Sequence, residues 1–103
     1  MITDQESSGV VNAAGTADLV FSPRSRQSWA VQQVSTSAPS VGTGASCGVY
    51  RDGMLITPMV AQADVASGDP PIPVRLGQKL HVRWTGATVG AVVSAIIIYD
   101  DGT

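Results

Sequence analysis

The chain has 103 residues, of which 44% are hydrophobic and 14% charged, with a formal net charge of −2. That length holds one domain, and soluble domains average about 25% charged residues, so Ser, Thr, Gly, Ala and Gln stand where charge is missing. Six basic residues scattered between Arg24 and Arg83 make no electrostatic footprint for nucleic acid, and no apolar run of about eighteen residues exists to span a bilayer. The start, Met1-Ile2-Thr3-Asp4-Gln5-Glu6, is polar and acidic, unlike a secretory signal, which predicts a protein made and kept in a cytoplasm. One cysteine excludes an intrachain disulfide, and one Cys with one His does not assemble a zinc site, so no cofactor is expected.

Residues 1–16 read as an N-terminal arm. Ser7-Ser8-Gly9 and Ala13-Ala14-Gly15-Thr16 flank a short Val10-Val11, with no helical period and little to bury. Such an arm is ordered most easily on a partner chain. Residues 17–103 read as a single β-sandwich domain. Asp18-Leu19-Val20-Phe21 is its first strand, closed by Ser22-Pro23. The run from Ser28 to Thr36 alternates until Gln32-Gln33, where a β-bulge would bring Val34 back to the face of Trp29 and Val31. Residues 38–44 form a Pro/Ser/Gly loop.

Asp52-Gly53 sits between two apolar runs and predicts a two-residue hairpin with positive φ at both positions, setting Val49 opposite Ile56 and Tyr50 opposite Leu55. Residues 64–73 read as a loop stiffened by Pro70, Pro71 and Pro73, and Val74-Arg75-Leu76 as a short strand. Leu80, Val82 and Trp84 then alternate with Lys79, His81, Arg83 and Thr85, which gives one dry face and one wet face. The last strand, 91–99, is apolar on both faces, and a two-layer sandwich buries only one of them. Val92, Ile96 and Ile98 on the second face must therefore meet a loop, the arm or another subunit. Short strands, regular turns and no amphipathic helix predict an all-β, two-layer antiparallel sandwich or jelly roll.

No catalytic apparatus is legible. A nucleophile needs a base held by a third group. His81, between Lys79 and Arg83, reads as an exposed surface histidine, and Cys47, sharing a face with Val49 and Ile56, as a small buried hydrophobe. Asp64 and Asp69, and Asp100-Asp101, lack the spacing of a calcium loop and read as turn aspartates. Trp29 and Trp84 fall on core faces, each indole N–H needing a partner. Arg24 and Arg26 are the exposed contact candidates. No glycine opens a helix, so there is no phosphate loop.

Trp29-x-Val31, Ser35-Thr36-Ser37, Cys47-Gly48-Val49-Tyr50-Arg51-Asp52-Gly53 and Leu76-Gly77-Gln78-Lys79-Leu80-His81-Val82-Arg83-Trp84-Thr85-Gly86-Ala87 follow one another with a Pro-rich acidic loop between. This order, over most of residues 17–99, resembles the small β-sandwich virion proteins of tailed phages, particularly those infecting actinobacteria. The resemblance implies a non-enzymatic structural protein on the virion exterior, of capsid decoration or minor capsid type. Its partners would be the major capsid protein or other virion proteins, with copies arranged as a homo-oligomer, a trimer by the symmetry of capsid lattices. The residues above add the contacts: Val10 and Val11 of the arm, and Val92, Ile96 and Ile98 of the last strand. The alternative is a minor tail or host-surface carbohydrate-binding module, for which Tyr50, Tyr99 or a surface Trp would be the stacking residues.

Overall fold

Leu80, Val82 and Trp84 have no exposed surface, while His81 and Arg83 between them stay half-buried on the other side. Burying each such side chain contributes roughly 1.5–3 kcal/mol, so the alternation fixes which face turns inward. The same logic runs through all strands of the computed structural model, which describes residues 1–103. These are β1 (Ile2–Val10), β2 (Ala17–Phe21), β3 (Trp29–Ser37), β4 (Ser46–Arg51), β5 (Met54–Met59), β6 (Ala63–Val74), β7 (Leu80–Thr85) and β8 (Val92–Asp100). There is no helix, and so none long and apolar enough to cross a membrane.

Two four-stranded antiparallel sheets, β1-β8-β3-β6 and β2-β7-β4-β5, enclose one core. Position by position, β1 in one sheet answers β2 in the other, β8 answers β7, β3 answers β4 and β6 answers β5. That is the strand order of a jelly roll. Trp29, Val31, Val34, Val93, Ile97 and Tyr99 from the first sheet meet Leu19, Phe21, Val49, Leu80, Val82 and Trp84 from the second. Both indoles are buried and satisfied: Trp84 Nε1 donates to the Ala61 carbonyl at 2.9 Å and Trp29 Nε1 to Gln27 Oε1 at 3.1 Å.

The bulge expected at Gln32-Gln33 is present, since the register of β3 shifts between Val31 and Gln33 against both β6 and β8. A Cβ at Gly68 would run into the Val31 carbonyl oxygen, so the close approach of β6 at this bulge requires glycine.

Four expectations about local structure are corrected. Residues 1–16 are not a free-standing arm: β1 pairs with β8 over its whole length, from Ile2 opposite Asp100 to Val10 opposite Val92. A polar strand can do this because it lies at the sheet edge, where only one side needs a ladder. Residues 64–73 form β6 rather than a loop. Pro70, Pro71 and Pro73 are tolerated because β6 is the opposite edge of the same sheet. Of Val74-Arg75-Leu76 only Val74 is strand; the Gln78 N–H donates to the Arg75 carbonyl and closes a turn there. In the hairpin, Tyr50 does face Leu55, but Val49 faces Thr57, because a register shift falls between Val49 and Tyr50. Asp52 takes φ 54° while Gly53 stays out of the left-handed region. Asp52 is fixed there by two bonds to Lys79, its N–H donating at 2.8 Å and its Oδ1 accepting at 3.1 Å.

Candidate functional site

Groups with catalytic chemistry are kept apart by the sheets. Cys47 lies opposite Trp84 and Met59 on the inner face of β4. Burial pushes its thiol up to about 12, while the Gly48 N–H pulls the other way. His81 is on the outer face, so the sheet itself separates thiol from imidazole. Contrary to the exposed reading, the His81 side chain is only 15% exposed, with Nδ1 3.1 Å from the Asp18 carboxylate. Asp18 is brought there by β2 pairing with β7, and it also accepts from Arg83 at 3.3 Å. The Arg83 guanidinium lies 5.1 Å from the centroid of the Tyr50 ring. Asp18, His81, Arg83 and Tyr50 thus form one contiguous cluster on the outer face of the second sheet. Asp64 accepts from the N–H groups of Val60 and Val65, both at 2.8 Å, as a turn aspartate does. No group of three or more His, Cys, Asp or Glu residues is placed to hold a metal ion.

The aromatic side chains sit mostly inside. Trp29, Trp84 and Tyr99 are core residues, so of the stacking candidates only Tyr50 reaches the surface, half-buried beside Arg83. Tyr99 is claimed by the core because its ring packs 4.2 Å from Trp29.

The outer face of the first sheet is where apolar side chains are left open. Val10 and Val92 are opposite one another, 61% and 60% exposed. Glu6, Ile96, Ser35 and Val65 form one row across the four strands; Asp4, Ile98, Gln33 and Ser67 form the next. Ile2, Val65 and Ile96 are exposed, and Ile98 is half-buried. Of the five interface candidates, four lie on this face. Val11 does not: it is buried in the core, with its N–H donating to the Ala91 carbonyl. Ile2 and Val65 belong to the face as well. Val65 reaches this face because Asp64-Val65-Ala66-Ser67 alternates as a strand, a period masked in the sequence by the prolines that follow.

Charge divides the molecule as sharply as polarity. The strands of the first sheet carry Asp4, Glu6, Asp64, Asp69 and Asp100 and no Lys, Arg or His. At its end Gly102 N–H holds the Asp100 carboxyl below its ordinary range, helped by the Met1 ammonium 3.1 Å away. Arg24 and Arg26 are exposed in the β2–β3 connection. Arg24 borders a polar cleft of about 270 Å³ with Thr3, Asp4, Gln5, Gln27, Tyr99 and Asp101, whereas Arg26 lines no cavity.

No protein-family model matches the chain, and no curated protein matches it in sequence. Among solved structures it is similar to the crystal structure of FlhE, with a TM-score of 0.56 at 15% identity over 97% of both chains. It also aligns with dimeric latent PorU from Porphyromonas gingivalis, with a TM-score of 0.45 at 15% identity, over 97% of this chain and 13% of that one. At such identity the likeness to FlhE is one of fold.

Proposed function

We propose that the chain is a non-enzymatic structural module that docks onto a larger assembly through the outer face of β1, β8, β3 and β6, as a capsid decoration or minor capsid protein on a virion. The observation that carries the docking is the set of aliphatic side chains, exposed at Val10, Val92 and Ile96 and half-buried at Ile98, on a sheet with no basic residue. Placement on a virion rests on the resemblance of residues 17–99 alone. Jelly rolls serve viral capsids, lectins and cupins alike, so the fold favours none of these.

The size of the face is adequate. Four strands at ordinary spacing and nine residues of rise span roughly 19 by 30 Å. That is about 600 Å² on one partner, at the low end of a specific interface. The partner is the major capsid protein or another virion protein, whose contact surface supplies the basic charge this sheet lacks. Copies are held around the partner's symmetry axis, trimeric on a lattice, without pressing their own acidic faces together.

Ile96→Asp and Val92→Asp test the face. Both side chains face solvent, but Asp is a poor strand residue and at position 96 stands opposite Glu6, so each change should cost about 1 kcal/mol and leave the domain folded. Binding to particles should be lost. Immunogold labelling of intact particles with an antibody to the folded domain should decorate the heads evenly. Label confined to the tail would move the protein to the tail-module alternative, and unchanged binding by Ile96→Asp would overturn the docking face.

A further inference from the structure

Every sheet in an open sandwich has two edges, and an unpaired edge is a template for another strand. Three of the four edges here are blunted. β6 carries Pro70, Pro71 and Pro73; β5 carries Pro58, and the register of its pairing with β4 shifts; β2 is only five residues long. β1 is different. It is nine residues long, has no Pro and no Lys, and pairs with β8 without a register shift.

The direction of its free backbone groups can be read from the bonds at the two ends of the ladder. Val11 N–H donates to Ala91, and Asp101 N–H donates to Met1. In an antiparallel pair the hydrogen-bonded residues alternate, so odd-numbered residues of β1 bond to β8. The N–H and C=O of Asp4, Glu6 and Ser8 therefore point outward from the edge. Their side chains share the outer face of the sheet, in line with Ile98, Ile96 and Ser94.

We propose that β1 is the acceptor edge for an extended strand of a basic partner, which adds to the first sheet beside Asp4, Glu6 and Ser8. This rests on the docking reading above and names the segment through which the partner is gripped. Main-chain hydrogen bonds to the even-numbered residues hold it, and alternate side chains give specificity. Lys or Arg at the positions facing Asp4 and Glu6 meets the carboxylates of a strand that carries no basic residue, while the Met1 ammonium is taken up by Asp100 and Asp101 and Arg24 borders the polar cleft. The intervening side chains point toward the cleft bordered by Arg24 and Gln27, which suits amides, hydroxyls or carboxylates. Both concavities of the molecule border this half of β1: the polar cleft on one side, and a dimple lined by Ile2, Asp4 and Ile98 on the other.

A second copy is the poorer occupant. Two β1 strands paired antiparallel over their full length set Glu6 opposite Glu6, and a slip one way sets Asp4 opposite Glu6 twice; a slip the other way avoids the clash but shortens the pairing to residues 4–10. Like charges directly opposite destabilise a strand pair.

The probe is a blocked nonapeptide alternating Lys and Thr, titrated into the full chain and followed residue by residue by NMR. A Glu/Thr peptide of the same length is the comparison. Shift changes and slowed amide exchange are expected at Asp4, Glu6 and Ser8 with the Lys/Thr peptide only. Glu6→Pro removes an outward N–H without touching the β8 ladder, so the domain stays folded while affinity falls at least about tenfold. Glu6→Gln keeps the N–H and should weaken binding less. Equal binding by Glu6→Pro, shifts centred elsewhere, no binding, or a dimer in sedimentation that Glu6→Pro abolishes would each overturn the proposal. Val92→Asp lies opposite Val10, away from Asp4, Glu6 and Ser8, so loss of particle binding by Val92→Asp with a silent β1 edge refutes the strand acceptor and spares the docking face.

Discussion

Gln5 Nε2 donates to the Tyr99 hydroxyl at 2.9 Å, and so ties the edge strand β1 to the aromatic centre of the core. Tyr99 in turn lies against Trp29, ring centroids 4.2 Å apart and planes tilted by 35°. Gln5 is half-buried on the inner side of β1, where a polar side chain needs a partner. The edge that most needs anchoring, being paired on one side only, thereby gains a side-chain bond next to its ladder.

Tyr99→Phe should keep the ring pair and remove only that anchor. The expected cost is about 0.5–1.5 kcal/mol, the net worth of one hydrogen bond. Amide exchange should accelerate in β1, at Gln5 and Ser7, with the amides of β2, β7 and β4 protected as before. A loss of protection spread evenly over both sheets would show that the hydroxyl acts through the core rather than through the edge.

Much of this architecture can be read from side-chain alternation, and the failures have physical causes. Leu80-Val82-Trp84 and the two-faced 91–99 run are strands whose burial is set by period alone. The Gln32-Gln33 slip announces its bulge because Val34 would otherwise face solvent. β1 and β6 escape because edge strands need no continuous apolar face. Ile2–Val10 is polar along most of its length and β6 holds three prolines, so the usual strand signals are absent where only one side is paired. The apolar half of the docking face was visible in Val92, Ile96 and Ile98. Its acidic half was not, because Asp4 and Glu6 join those residues only through the β1–β8 register.

Thr36 is a second place where sequence and packing disagree. It lies inward between Asp64 on β6 and Ala95 on β8, 6% exposed, and its hydroxyl has no hydrogen-bond partner. An unpaired buried hydroxyl costs about 1–3 kcal/mol. Thr36→Val keeps the shape and the β-branch while removing that group, so it should raise stability by about 1 kcal/mol. For a domain near this size the melting temperature would rise by about 4–8 °C. A melting temperature at or below that of the wild type would mean that the hydroxyl finds a partner in solution.

Cys47 makes the stability of the domain depend on alkaline pH. Burial raises its thiol in the folded chain from 9.0 to about 12, so the unfolded chain releases this proton first as pH rises. The group's contribution is therefore complete below pH 9 and is lost as pH climbs toward about 12. Other groups also titrate there, so the measurement is a difference: denaturant unfolding of wild type and Cys47→Ala across this range. The gap between the two should be constant below pH 9 and shift steadily against the wild type above it. In the same window a thiol reagent should label native Cys47 only at the rate of unfolding, because the thiolate it attacks is absent from the folded core. Rapid labelling at pH 8, or parallel pH curves for the two proteins, would show that the thiol reaches solvent without unfolding.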